Sequence, residues 1–312
     1  MKLFFSGFGK RGVDLDPRIP SGMRYRLLSC HEDYLSVAHA VSADIQATEQ
    51  PHELMYDSGA FTAWSRGKRV ELDDLMRNYD SMLNQYGDKA NAVWFISLDV
   101  IPGSPGRTAL GDEIIEACRV SDENFSVLQK RYGARVLPVF HQNESLSRLH
   151  EVERMAPYIC VSPRNDLPER ARRNWAMEVH AKIPDKPTHG LATTGHAMLR
   201  HVPWTSADSA TYVMVAMNGG VFRNSRLRIL YVSEHSGLIK DKDKHYRTLP
   251  LAQRETFRQQ VEQQGFSIDR LETDLFERLV YNRVMMTRTQ RQLPEPQTIA
   301  REIPVQEPLF EL

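Results

Sequence analysis

Short strand-like runs alternate with helix-like segments along the first two thirds of this chain, and that alternation constrains its fold more than any other feature. Runs rich in β-branched and aromatic residues recur at 2–6, 24–29, 53–57, 92–99, 135–141, 157–162, 187–192 and 202–208. Between several of them apolar residues fall at helical spacing. The clearest segments are 33–49 (Tyr34, Val37, Ala38, Val41), 71–86 (Leu72, Leu75, Met76, Tyr79, Leu83) and 111–132 (Ile114, Ile115, Ala117, Val120). Shorter helices fit 144–154 and 167–183. Strand and helix in alternation predict a parallel sheet, because parallel neighbours must be joined by crossovers. Eight such units in about 210 residues have the size of a compact (β/α)8 barrel.

The pattern changes after residue 208. Residues 211–217, then Asn218-Gly219-Gly220, then 221–232 read as a β-hairpin whose glycines supply positive-φ turn positions. Residues 249–264 and 271–288 are helical by spacing, and 293–312, with Pro294, Pro296, Pro304 and Pro308, reads as an extended tail. The expected organisation is an α/β catalytic barrel over 1–215, a hairpin and helical appendage over 216–292, and a tail over 293–312.

With 41% hydrophobic residues, the 312-residue chain can bury a full core. Lys+Arg and Asp+Glu both number 40, so net charge gives no global argument for a polyanionic partner, and any basic surface must be local. The cysteines, Cys30, Cys118 and Cys160, lie far apart, with neither metal-ligand spacing nor disulfide density. A reducing, cytoplasmic setting is expected. The opening apolar run, broken at Gly7, is too short for a membrane span, and no membrane association is expected.

In a barrel of this type the loops after the strands share one face, so residues there can converge. Polar residues occupy those positions here: Asp57-Ser58-Gly59-Ala60-Phe61, Ser97-Leu98-Asp99, His141-Gln142-Asn143, Ser162-Pro163-Arg164 and Ser206-Ala207-Asp208-Ser209. A single Asp after a strand is commonly a helix cap or an Asx-turn. Three at one end point instead to a carboxylate cluster. In 57–61, two small residues followed by an aromatic build a tight loop where backbone can approach a flat ligand.

The string Met55-Tyr56-Asp57-Ser58-Gly59-Ala60-Phe61 resembles the Asp-Ser-Gly-Gly-aromatic motif of the tRNA-guanine transglycosylases. A second stretch, His189-Gly190-Leu191-Ala192-Thr193-Thr194-Gly195, is followed by Ser206-Ala207-Asp208-Ser209. It resembles that family's His-x-Leu-x-Gly-x-Gly segment and its later nucleophilic Asp. The resemblance covers roughly residues 55–215. It implies Asp208 as the nucleophile at the sugar anomeric carbon and Asp57 as the acid/base beside the departing or arriving base. Phe61 would stack on that base and Asp99 would read its Watson–Crick edge, with Ser58, His141 or Gln142, and Ser162 completing the pocket. The chemistry is coherent by itself, since exchange with retention needs two displacements, one carboxylate forming a glycosyl intermediate and another moving protons.

Departures refine this expectation. No cysteine follows Cys160, so the structural zinc site of the tRNA enzymes is absent; His141 or Gln142 stands for the family's glutamine; Thr193 and Thr194 occupy a stretch where the family's pattern would have glycine. These features resemble the divergent, often phage-borne relatives that insert 7-deazaguanine bases into DNA. The implied activity is exchange of guanine for a 7-deazaguanine in DNA, with DNA and the free base as partners and neither metal nor cofactor. The alternatives are exchange in tRNA, a glycosidase in which water takes the glycosyl intermediate, and an inactive nucleic-acid-binding barrel.

Arg164, Arg170, Arg172 and Arg173 cluster after the sixth strand, and Arg66, with Trp64, Lys68 and Arg69, follows the stacking motif. Of these, Arg164, Arg170, Arg173 and Arg66 are the expected phosphate contacts. Arg278, Arg283, Arg288 and Arg291 read as a solvated helix face compensated by acids such as Glu277. His189, His196 and His201 lie close in sequence without a recognised ligand spacing, so no metal site is expected.

Overall fold

The computed structural model describes residues 1–7, 13, 16–19, 24–29, 52–87, 92–104, 107, 109–193, 195–224, 226–241 and 244–293. Its main sheet has nine described strands, all parallel to their neighbours: β1 Lys2–Phe5, β2 Tyr25–Ser29, β3 Glu53–Asp57, β4 Ala92–Ile96, β5 Val136–Leu137, β6 Val139–His141, β7 Ile159–Ser162, β8 Thr188–Gly190 and β9 Ser206–Ser209. Their spatial order is β5-β4-β3-β2-β1-β9-β8-β7-β6. The two ends of that order, β5 and β6, are neighbours in sequence, separated only by Pro138. The sheet is therefore nearly closed, a barrel-like α/β architecture surrounded by helices.

The run expected as one strand at 135–141 is divided because proline has no N–H to give to a ladder. Leu137 still accepts from Ser97 N (2.9 Å), and the Pro138 carbonyl accepts from Cys160 N (2.8 Å), so this segment bonds to β4 on one side and to β7 on the other. The segment expected as a helix at 33–49 and the tail beyond residue 293 lie outside the described residues.

Successive strand residues point to opposite faces, and the two sets pack separately. Phe4, Tyr25, Leu27, Met55, Trp94, Ile96, Leu137, Val139 and Cys160 form one apolar cluster inside the sheet. Leu3, Phe5, Leu54, Tyr56, Val93 and Phe95 belong to the cluster on the outer face. At the end of the barrel away from the strand exits, Lys2 Nζ donates to both oxygens of Glu53 (2.7 and 2.8 Å), and Trp94 Nε1 approaches the same carboxylate (3.4 Å).

The described helices are α1 Ala60–Ser65, α2 Leu72–Tyr86, α3 Gly111–Tyr132, α4 Leu146–Met155, α5 Glu169–Lys182, α6 His196–His201, α7 Thr211–Met217, α8 Leu251–Glu262, α9 Ile268–Thr273 and α10 Leu275–Gln292. Their apolar stripes face the sheet: α2 buries Leu75, Tyr79, Met82 and Tyr86, with Tyr79 stacked on Phe95 at 4.2 Å. Among the described residues, no helix is long and apolar enough to cross a membrane.

Three expectations in the C-terminal third are corrected. Residues 211–217 form α7, not the first arm of a hairpin, because Tyr212, Val215 and Ala216 fall at i, i+3 and i+4 and bury together. The antiparallel pair is β10 Gly220–Phe222 with β11 Ile229–Tyr231, and Gly220 opens its first strand, where a Cβ would lie 3.0 Å from Val215. The single helix expected over 271–288 breaks at Asp274, whose carboxylate caps α10 by accepting from Phe276 N (2.8 Å). Arg278 and Arg283 are not solvated. Arg278 Nε donates to the Ala216 carbonyl closing α7 (3.0 Å), and Arg283 lies over the rings of Phe5 and Tyr212. Glu277 is buried and pairs with Arg18 at 2.6 Å. These contacts, with Asn282 tied to Phe222 N and the Tyr212 carbonyl, fasten the appendage to the outside of β1.

Candidate active site

Pleating explains why the polar residues gather. Asp57 follows Glu53 and Met55 on the inward face of β3, His141 follows Val139 on β6, Ser162 follows Cys160 on β7, and Asp208 follows Ser206 on β9. The inward face is thus apolar in mid-barrel and polar at the strand exits. The Cys160 thiol, wholly buried, registers the result: burial first, then the charges of Asp208, Asp99 and Asp57, push its pKa well above the usual thiol value. All three aspartates act on one buried atom.

None of the three is the cap of the helix that follows it. Gly59, in the left-handed region at φ 76°, heads α1, and Ala210 heads α7, both without a side-chain cap bond. Asp208 turns back toward β8 instead. Its Oδ1 accepts from Ala192 N (3.0 Å) and lies 3.2 Å from His189 Nε2. Ala192 holds φ at 51°, a conformation disfavoured for residues with a Cβ, so the local backbone is strained where it delivers its N–H to Asp208. His189 is fully buried, and its Nδ1 meets the Ser206 hydroxyl, which in turn meets the Tyr158 hydroxyl.

On the opposite wall, His141 Nε2 lies 2.8 Å from Asp99 Oδ2. Burial opposes a charge on this imidazole, but the bond to Asp99 and the charges of Asp99 and Glu144 prevail, and its pKa is raised. Glu144 is itself deeply buried, and burial raises its pKa despite His141 and Arg148 nearby. The loop carrying Asp99 is anchored to α3, with Val100 N donating to Ser121 Oγ (2.8 Å) and Asn124 to the Leu98 carbonyl (3.0 Å). Trp64 Nε1 donates to the Gly103 carbonyl (3.2 Å), joining this loop to α1.

Of the two residues considered for the fifth-strand position, His141 faces Asp99. Gln142 is engaged elsewhere: its Oε1 accepts from Arg164 N (2.9 Å), and its own N donates to the Ser162 carbonyl (3.1 Å). Ser58 is buried, its hydroxyl 3.4 Å from Ala60 N. Phe61 stays 51% exposed, tilted against Trp64 at 5.8 Å, which is no core position.

The arginines divide. Arg164 is held by Asp166 and Asn143, and Arg173 reaches Asn174. Arg170 and Arg66 are exposed and make no ion pair among the described residues. Arg172, absent from the expected phosphate contacts, reaches the site loop by donating to the Ala192 carbonyl (3.1 Å).

His189, Ser206, Tyr158 and Glu144 carry no functional expectation from sequence. The signal for the first two was present, since Ser206 lies two residues before Asp208 on the same face, but their pairing depends on β8 lying against β9, with His189 opposite Ser206. Among the described residues, no three of His, Cys, Asp and Glu gather as a metal site. In comparisons with known proteins, the chain matches no protein-family model and no curated protein.

Proposed function

We propose that this chain is a transglycosylase that exchanges guanine for a 7-deazaguanine base in DNA, within a (β/α)8 barrel in which β5 and β6 count as one strand interrupted at Pro138. The observation that carries this reading is that Asp57 and Asp208 on the inward face at the ends of β3 and β9, and Asp99 in the loop just past β4, all act on the buried Cys160 thiol.

In the first displacement a carboxylate lone pair of Asp208 forms a bond to the sugar anomeric carbon. The carbon–nitrogen bond to guanine breaks, its electron pair leaves with the base, and Asp57 supplies the proton the base needs. In the second, the incoming base loses its N–H proton to Asp57 and its nitrogen pair attacks the same carbon, returning the bonding pair to Asp208. Phe61, exposed beside Trp64, supplies the stacking face for a flipped base, and Asp99, steadied by His141, supplies the acceptor for its exocyclic amine. Phosphate contacts fall to the exposed Arg170 and Arg66 rather than to Arg164, which Asp166 occupies.

The test is a denaturation-resistant adduct between enzyme and guanine-containing DNA when no replacement base is present, with tRNA run in parallel. Wild type is expected to form it on DNA, Asp208→Asn not at all, and Asp57→Asn slowly or not at all. An Asp208→Asn variant that exchanges labelled base at near wild-type rate would refute the mechanism, and an adduct on tRNA alone would change the polymer.

A further inference from the structure

The residues beneath Asp208 form a continuous hydrogen-bonded line. Tyr158, Ser206 and His189 are at most 2% exposed, and each is bonded to the next: the Tyr158 hydroxyl to Ser206 Oγ, Ser206 Oγ to His189 Nδ1, and His189 Nε2 to Asp208 Oδ1. Such a line has a direction, set by which groups can donate.

An ionised Asp208 has no proton to give, so His189 Nε2 must carry the hydrogen. Nδ1 then either accepts from Ser206, leaving the ring neutral, or donates to it as an imidazolium. In the second case Ser206 either turns its proton toward Tyr158, stranding the Tyr158 O–H, or accepts from Tyr158 as well, stranding its own; either way one buried hydroxyl hydrogen has no acceptor among the described residues. In the first case every donor is satisfied: Tyr158 donates to Ser206, Ser206 to Nδ1, and Nε2–H to Asp208. Leaving a buried hydroxyl unsatisfied is the costlier arrangement. The surroundings agree, since the ring edge packs on Phe4 of β1 at 5.6 Å, and its register partner on β7 is Cys160. The charged groups near this line are Asp208 itself and, at the Tyr158 end, Glu53 with its partner Lys2, which is the register partner of Ser206 on β1; burial first, and then Cys160 and Glu53, oppose ionisation of the Tyr158 hydroxyl.

We propose that His189 is a positioning residue, locked by Ser206 and Tyr158 as the neutral Nε2–H tautomer, which with the Ala192 N–H fixes Oδ1 of Asp208 and leaves Oδ2 as the oxygen that forms and releases the bond. A neutral ring leaves Asp208 its full negative charge for attack. When the ester forms, the same two donors remain on its carbonyl oxygen, and when the ester carbon–oxygen bond breaks they stabilise the charge returning to the carboxylate. This assigns Ser206 a role opposite to that of a nucleophile: fully buried and hydrogen-bonded at both ends, it sets a tautomer. The catalytic part of the inference rests on the proposed base exchange; the tautomer does not.

The experiment uses full-length protein with 15N-labelled histidine, assigned by comparison with His189→Gln, and reads the protonation of both ring nitrogens near neutral pH. The expected result is a hydrogen on Nε2 and none on Nδ1 in wild type, with that pure signature lost in Ser206→Ala. Hydrogens on both nitrogens, or on Nδ1 alone, would overturn the proposal whether or not the protein exchanges bases. In the adduct assay, His189→Gln, whose amide can still donate to Oδ1, is expected to stay within about tenfold of wild type. His189→Leu is expected to lose about a hundredfold or more at unchanged DNA affinity. Equal rates for His189→Leu and wild type would remove His189 from the mechanism. Absence of any adduct in wild type would refute base exchange and leave the tautomer result standing.

Discussion

Replacing Asp208 separates the hydrogen-bonding and the charge of this carboxylate in a stability measurement that needs no substrate. In wild type Oδ1 takes two donors, Ala192 N at 3.0 Å and the fully buried His189 Nε2 at 3.2 Å. Asp208→Ala removes both bonds, and each is worth about 1 kcal/mol; the stranded imidazole N–H adds a desolvation penalty, so a loss of about 2–4 kcal/mol is expected. Asp208→Asn keeps a carbonyl oxygen in the same place, able to accept from both donors. With a neutral His189 it should cost about 1 kcal/mol or less. If His189 were instead an imidazolium paired with Asp208, the amide would leave a buried cation uncompensated, which costs about 3–5 kcal/mol. Urea unfolding of the three proteins near neutral pH, followed by fluorescence and circular dichroism, gives these differences directly. An Asp208→Asn variant as destabilised as Asp208→Ala, or more so, would refute the neutral-ring argument.

Two further outcomes follow from the same structure. The pKa values of His141 and Glu144 are both raised in the folded state from usual values of 6.5 and 4.5, so at these two groups the fold holds more protons than the unfolded chain. The His141 contribution is full below the unfolded value and is lost as pH rises through the folded one, and Glu144 adds a penalty of the same sign as it ionises. Unfolding midpoints should therefore fall as pH rises above these usual values, with a shallower fall in His141→Gln; a steeper fall in that variant would contradict the assignment. At the other end of the barrel, Glu53→Leu should cost about 3–5 kcal/mol by stranding the buried Lys2 ammonium. Combining it with Lys2→Met should restore most of that loss in the same unfolding assay.

Much of the barrel could be read from local pattern. The run at 53–57 coincides with β3 and the segment at 111–132 with α3, because period-two and helical spacing are properties of the chain alone. The aspartates at the strand exits were legible for the same reason: alternation along β3 and β9 decides which residues share a face. Where local pattern admits two answers, tertiary packing chose. The β-branched run at 211–217 is helical because α10 covers it, and its arginines are buried because they close α7 and lie over Phe5 and Tyr212. Which residues partner the carboxylates was not decided by sequence. That the inward-facing His141 meets Asp99 depends on where the loop after β4 runs, and that His189 sits under Asp208 depends on β8 and β9 pairing in one register. Those contacts join residues distant in sequence or set across neighbouring strands. Alternation fixes the face on which a residue lies, and only the closing of the sheet fixes what stands opposite it.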